Sequence, residues 1–316
     1  MPRISLAPML DRTGPAFRAF LRTLTKQTTL FTELIPAQAL LHQPLRYKPE
    51  AFEHPIAIQL GGEDPSLLAN AAALAQELGF DEVNLNCGCP SERVQLGSFG
   101  AALMKKPETV RDSVFAMKKV VSVPVTVKHR IGITPNDQFK DLLAFVDSVA
   151  EAQCDSFIVH ARGVFLDGRS PADNRKQELR PNEVFHLKEV RPELKIEFNG
   201  DIKTLSQAES YVQKLDGAMI GRAALQNPYL FSQVDQRFYG STEPVTPRLK
   251  VVQHYFQYVR AHLEVPSLQP LLQPLANLYL GCAGAAGWRR SIGEAHCFKA
   301  EQVLSDLEEQ ALRLEL

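Results

Sequence analysis

Eight short apolar runs rich in β-branched residues recur along this chain, with helical patterns between them. That alternation is the strongest constraint on what the chain can fold into. The runs are ISLAP (4–8), LFTEL (30–34), IAIQL (56–60), EVNLN (82–86), VPVTVKHR (123–130), SFIVHA (156–161), KIEFNG (195–200) and GAMIGR (217–222). Stretches such as PSLLANAAALAQELG and PETVRDSVFAMKKVV carry apolar residues at helical period. Eight strand–helix units in roughly 240 residues predict an α/β fold, a (β/α)8 TIM barrel. A doubly wound sheet is the competitor, but no G-x-G-x-x-G follows the first strand.

Beyond residue 240 or so the alternation stops and helical patterns follow, among them TPRLKVVQHYFQYVRAHL and AEQVLSDLEEQALRL. The expected organisation is a barrel over residues 1–240, a linker YGSTEPVTP at 239–247, and a small C-terminal helical domain at 245–316. No run of ~18 apolar residues indicates a membrane span. The opening MPRISLAPML is interrupted by Asp11 and Arg12 too soon for a signal peptide. Five cysteines suit a disulfide framework poorly, so a reducing, cytoplasmic setting is expected. A net charge of -1 argues against a uniformly basic surface but leaves room for a local basic patch, since screening acts beyond ~8 Å.

In a barrel of this kind the carboxyl ends of the strands form one rim, which holds the active site. The polar residues of the runs gather there. Ala7, Pro8 and Met9 follow the first strand, Glu33 ends the second, and Gln59 precedes two glycines in the third. The fourth ends in Asn84 and Asn86, then Cys87 and Cys89. Lys128 and Arg130 lie in the fifth, and His160 and Arg162 close the sixth. Asn199, Gly200 and Asp201 follow the seventh, and Gly221 and Arg222 the eighth.

The last two loops are the usual phosphate site of the fold, where glycines admit an anion to backbone N–H groups and Arg222 could pair with it. They could also be simple tight turns. Lys128 sits inside an apolar strand and needs an anion or an electron-rich ring. A salt bridge to Glu33 and a cofactor ring both satisfy that need. Gln59 and Asn86 carry amides suited to a heterocycle edge, and His160 is either a core histidine or part of this ring of polar groups. Cys-x-Cys lacks the usual spacing of a zinc site, so no metal is expected. A free thiol of ordinary pKa ~8.5 is roughly 97% protonated at pH 7, which suits it to donating a proton rather than attacking.

With these residues assembled, the motifs APMLDRT, PIAIQLGG, EVNLNCGCPSERVQLGSFGAALM, VPVTVKHRIG, FIVHAR, NGDI and IGRAALQNP resemble those of tRNA-dihydrouridine synthases, in order and across the whole barrel. The resemblance implies an oxidoreductase that uses FMN, recharged by NADPH, to reduce the C5–C6 double bond of uridines in tRNA. It implies that Ala7, Pro8 and Met9 line the flavin, that Gln59 bonds its ring, and that Lys128 stands at the N1/O2 edge. His160 would contact the cofactor, and Asn199, Gly200, Asp201, Gly221 and Arg222 would hold its phosphate. The family's catalytic cysteine directly precedes Pro-Ser, which makes it Cys89. Hydride would pass from flavin N5 to uracil C6, and Cys89 would protonate C5 from the opposite face. Cys87 reads as a small packing residue.

Asn86 would face both flavin and uracil, and Arg130 would meet the substrate. The loop GRSPADNRKQELRP (168–181) reads alone as a solvated surface, but the resemblance makes Asn174 and Arg175 candidates for tRNA contact. In the helical domain, Trp288 with Arg289 and Arg290 could offer stacking and phosphate pairing, or the Trp could be buried in an ordinary amphipathic helix. Within the family, the HAR motif and the S-P-x-x-N-R segment resemble the bacterial subgroup acting on U20 and U20a of the D-loop, with NGDI where that subgroup commonly has NGGI. A monomer is expected. The competing readings are a small-molecule pyrimidine reductase on a flavin barrel, a non-catalytic tRNA-binding protein, and a flavin-free phosphate-binding isomerase.

Overall fold

All eight runs form strands: β1 (Arg3–Leu6), β2 (Leu30–Pro36), β3 (Ile56–Gly61), β4 (Glu82–Cys87), β5 (Val125–Arg130), β6 (Ser156–His160), β7 (Ile196–Asn199) and β8 (Gly217–Ile220). They are seen in a computed structural model that describes residues 1–91, 94, 97, 99–135, 137–169, 171–264, 266–295 and 300–315. The strands pair in the order β1-β8-β7-β6-β5-β4-β3-β2, every pair parallel. Ser5 and Thr29 form a further parallel bridge just ahead of β2, so the sheet returns on itself. The expected (β/α)8 barrel is the fold found.

Local chemistry explains the helices that cover the sheet. Pro65–Glu77 begins with Pro in its first turn, and the Asp64 side chain accepts the N–H groups of Ser66 and Leu67 at 2.8 and 3.0 Å. Leu205–Val212 carries a reciprocal capping box between Thr204 and Gln207. In β4 every residue is buried. Alternation puts Val83, Leu85 and Cys87 on one face and Glu82, Asn84 and Asn86 on the other. The strand is therefore apolar on one face and polar on the other.

By its internal contacts the chain divides into two compact units, Met1–Leu10 with Thr29–Gly221 and Asp11–Thr28 with Arg222–Leu316. The first is the barrel. The second is helical and includes the segment between β1 and β2. Its helix Pro15–Arg22 sets Phe20 edge-on to Tyr255 at 5.5 Å. The Asp235 carboxylate accepts from the Thr25 hydroxyl at 2.5 Å and the Lys26 N–H at 2.6 Å. The sequence placed the change of character at 240–245; internal contacts place it at Gly221/Arg222.

Trp288, Tyr255, Tyr279 and Phe256 are fully buried in the helical unit. The Trp288 indole N–H donates to Leu275 O at 2.8 Å, and its ring meets Tyr279 at 4.9 Å. This corrects the stacking role considered for Trp288: the ring fills the core and is not available to a base. Arg289 and Arg290, beside it on helix Ala285–Gly293, are exposed.

Candidate active site

The register of the sheet brings the rim residues together. Gln59 is opposite Asn84, and Asn84 opposite Thr126, so three adjacent strands contribute to one level. Asn86 is opposite Lys128, Arg130 opposite His160, and His160 opposite Asn199.

Cys89 lies two residues beyond β4 and is partly exposed. Its backbone N–H donates to Asn86 Oδ1 at 3.0 Å, and the N–H of Gly88 donates to the same oxygen at 3.2 Å. The thiol donates to Ser91 Oγ at 3.4 Å. Arg130 braces the same loop from below, with Nε donating to Gly88 O at 2.8 Å and Nη1 to Gly163 O at 3.0 Å. Arg130 is only 7% exposed. Burial lowers its pKa to about 10, with Cys89 acting to raise it and Arg162 to lower it. Arg130 thus spends its Nε and Nη1 donors on backbone carbonyls of two loops. Cys87 is fully buried, and burial, then Cys154, pushes its thiol far above the usual range. The packing role fits it.

Lys128 Nζ donates to Asn199 Oδ1 at 3.0 Å, and Asn199 Nδ2 donates to Met219 O at 2.8 Å. No carboxylate pairs with Lys128 among the described residues, so the bridge to Glu33 is not formed. Burial first, and then Arg130, lower the Lys128 pKa to about 7. Next to it, His129 points to the other face of β5, against Phe145 at 4.9 Å. Burial holds its pKa down at about 4, so it is neutral.

The loop after β7 has a backbone that few side chains tolerate. Gly200 has φ +134°, and a Cβ there would stand 2.7 Å from Leu179 Cδ1 and 3.4 Å from His160 Cδ2. Asp201 follows at φ 46°. The Asp201 carboxylate receives Arg162 Nη2 at 2.5 Å, while Arg162 Nε donates to Gln177 O at 2.8 Å. Arg162 Nη1 is buried with no partner among the described residues. At Gly221 the situation is different: a Cβ would make only ordinary contacts, 3.5 Å to Ala7 Cβ and 3.8 Å to the Met9 sulfur. The protein's own packing does not require a glycine there. Ala7 is buried, with its N–H on Ile220 O at 2.8 Å, and Pro8 and Met9 are partly exposed. Arg222 is exposed and opens helix Arg222–Gln226, on the helical side of the division.

The loop between β6 and helix Pro181–Val190 separates its basic residues by role. Asn174 is fully buried, with Oδ1 accepting the Phe165 N–H at 2.7 Å. That corrects its expected part as a direct tRNA contact: its side chain ties the loop to itself. Arg180 is ion-paired with Asp137 and, at 3.0 Å, with Glu183. Lys176 pairs with Asp173 at 2.8 Å, and Arg169 with Asp167 at 3.0 Å while lying 3.8 Å over the Phe165 ring. Arg175 is exposed and has no side-chain partner among the described residues.

Sequence reasoning did not give Glu82 or Thr126 a place in the site, although both join its hydrogen bonds. The signal was the strict polar alternation Glu82, Asn84, Asn86 on one face of a strand. No group of three or more His, Cys, Asp or Glu able to hold a metal ion occurs among the described residues.

The family model described as dihydrouridine synthase (Dus) matches residues 5–315. The chain belongs to the dihydrouridine synthase family. The resemblance read from the strand motifs is therefore correct, and this family is one of enzymes. Among curated relatives, the tRNA-dihydrouridine(20/20a) synthase of Synechocystis sp. is 46% identical over 298 residues, covering 92% of this chain and 89% of its own. The protein of that name from Shewanella oneidensis is 47% identical over 295 residues, 92% of this chain and 88% of its own. The one from Pseudomonas syringae pv. tomato is 44% identical over 319 residues, 99% of this chain and 94% of its own.

Proposed function

We propose that this dihydrouridine synthase uses FMN and NADPH to reduce the C5–C6 double bond of D-loop uridines in tRNA, at positions 20 and 20a. The observation that carries the reading is a thiol, Cys89, held on Asn86 beside a lysine with no carboxylate partner among the described residues. The names of the relatives at 44–47% identity point to the same substrate and positions.

The residues suit a flavin phosphate and ring. Lys128 is a cation in an apolar strand whose charge calls for an electron-rich neighbour. Gly221 leaves room that a Cβ would fill, and Arg162 Nη1 is a buried donor without an acceptor among the described residues. Ala7, Pro8 and Met9 would line the ring, Gln59, Lys128 and His160 would bond it, and Asn199, Gly200, Asp201, Gly221 and Arg222 would hold the phosphate. With its carboxylate on Arg162, Asp201 contributes through its backbone N–H.

Bound FMN supplies the hydride, drawn from NADPH. The chain does the rest. Asn86 has its oxygen filled by two N–H groups and so offers its remaining N–H to a carbonyl of the reacting rings. Cys89 gives its proton to C5. Lys128 is opposite Asn86 in the sheet and Arg130 holds Gly88 O, so both side chains stand beside the Cys89 loop. Uridine must leave its stack to reach the thiol, at a cost of about a few kcal/mol. Arg175, with Arg289 and Arg290 of the helical unit, would offset this by binding tRNA phosphates. The helical unit is on this reading the tRNA-binding domain of a cytoplasmic monomer.

The test is a visible spectrum of the purified protein, followed by anaerobic NADPH and then unmodified tRNA transcript. Yellow absorbance bleached by NADPH and restored by tRNA, but not by free uridine, supports the reading. A colourless protein that takes up no FMN overturns it, and reoxidation by a free pyrimidine but not by tRNA moves the function to a small-molecule enzyme.

A further inference from the structure

A single file of hydrogen bonds runs through the barrel interior from its amino-terminal floor to the Cys89 loop, and its direction is fixed at both ends. At the top, Gly88 and Cys89 present backbone N–H groups, which can only donate, to Asn86. Asn86 must therefore turn its oxygen to the loop and its nitrogen inward. Its Nδ2 donates to Gln59 Oε1 at 2.7 Å, which forces Gln59 to aim Nε2 at Asn84 Oδ1, at 2.8 Å. Asn84 Nδ2 in turn donates to Thr126 Oγ1 at 2.8 Å. The Thr126 hydroxyl then donates to Glu82 Oε1 at 2.5 Å. The file ends on a pure acceptor, because Glu82 Oε2 is 2.7 Å from Arg3 Nη2.

We propose that Glu82, Thr126 and Asn84 are positioning residues that lock from below the polarity the Gly88 and Cys89 N–H groups favour in the Gln59 and Asn86 amides at the rim. The three are buried, at 5%, 1% and 0% exposure, and act through the two amides above them. An amide can turn over with little change of shape, exchanging donor for acceptor. Here a reversal anywhere would set donor against donor or acceptor against acceptor at 2.7–2.8 Å. That is a buried polar mismatch, which the fold does not tolerate. Asn86 is left with one free N–H and no free oxygen, so it recognises an acceptor such as a ring carbonyl. Gln59 keeps one N–H and one lone pair. That these amides meet FMN and uracil rests on the proposed function; their polarity does not.

The test compares Thr126→Val, which keeps the shape and removes the hydroxyl, with Thr126→Ser, which restores it. Two quantities are read on the full-length protein: the dissociation constant of FMN by fluorescence quenching, and the rate of Cys89 alkylation by iodoacetamide, resolved by peptide mass spectrometry. Thr126→Val is expected to weaken FMN binding about tenfold and to speed Cys89 alkylation severalfold, with Thr126→Ser returning both to within about threefold of the parent. Equal behaviour of the Val and Ser variants in both readouts overturns the proposal. If Thr126→Val does not fold, Glu82→Gln replaces it, since its amide can donate where the carboxylate only accepted. Unchanged alkylation and FMN affinity in a folded Glu82→Gln also overturns the proposal. A parent protein that binds no FMN sinks the flavin reading instead, and the alkylation comparison then decides the polarity question by itself.

Discussion

Arg130 donates from Nε to the carbonyl of Gly88 at 2.8 Å, one residue before Cys89. The guanidinium is the brace of the thiol-bearing loop, because its second bond ties that loop to Gly163 on the neighbouring strand's loop. A buried carbonyl that loses a charged donor costs about 1–3 kcal/mol. Arg130→Leu is therefore expected to slow single-turnover uridine reduction about tenfold or more while changing tRNA affinity less than about threefold. Filter binding beside single-turnover kinetics separates this from a tRNA-contact role, which would move affinity instead. Arg130→Lys should not restore the rate, since an ammonium lacks the planar fork that spans the two carbonyls.

The two cysteines of the motif should behave oppositely. Cys89→Ala is expected to retain flavin reduction by NADPH and to lose about 10²–10⁴ in the rate of reoxidation by tRNA, the range for a missing general acid. Cys87→Ala should leave both half-reactions nearly intact, because its thiol is fully buried and held strongly protonated. Stopped-flow absorbance on each half-reaction checks both outcomes. Residual reduction in Cys89→Ala that vanishes in the double variant would show that Cys87 can reach the substrate after all.

Lys128 gives the protein a pH dependence of definite sign. Its folded pKa is lowered to about 7, while an unfolded lysine titrates near ~10.4. Between those values the unfolded chain holds a proton that the folded chain has lost. The residue's unfavourable contribution is therefore full below about pH 7 and is relieved as pH rises from there. Lys128→Met should raise the thermal midpoint of flavin-free protein more at about pH 6 than at about pH 9. An electron-rich ligand restores the charge, so FMN binding at about pH 8 should take up a proton. Calorimetry in buffers of different ionisation enthalpy would show that uptake, and Lys128→Met should abolish it.

The loop after β6 divides its arginines cleanly. Arg175 is exposed with no side-chain partner among the described residues, whereas Arg180 is paired with Asp137 and Glu183. Arg175→Ala should lower tRNA affinity and reduce the slope of log K against log salt by about 1, the signature of one lost phosphate contact. Arg180→Ala should lower the thermal midpoint and leave that slope unchanged. Equal slopes for Arg175→Ala and the parent protein would remove Arg175 from the tRNA surface.

The eight strands, their parallel order and the rim residues were legible in the sequence, because β-branched runs, helical periods and polar strand ends are local patterns that report burial directly. Lys128 and Gln59 could be picked out because polar residues at the ends of apolar strands have few structural explanations, whereas Cys89 was chosen over Cys87 through the resemblance of its Cys-Pro-Ser motif to the family. What a side chain meets was not legible. Arg130 and Arg175 are the same residue type, yet one is closed on two carbonyls and the other is exposed. Trp288 looks the same in the sequence whether it stacks on a base or fills a core. The attachment of Asp11–Thr28 to the helical unit, and the file of hydrogen bonds from Glu82 to Cys89, join residues far apart in the chain. Local pattern carries no information about such pairings. They are decided by strand register and packing, which fix which donor finds which acceptor only when the whole barrel closes.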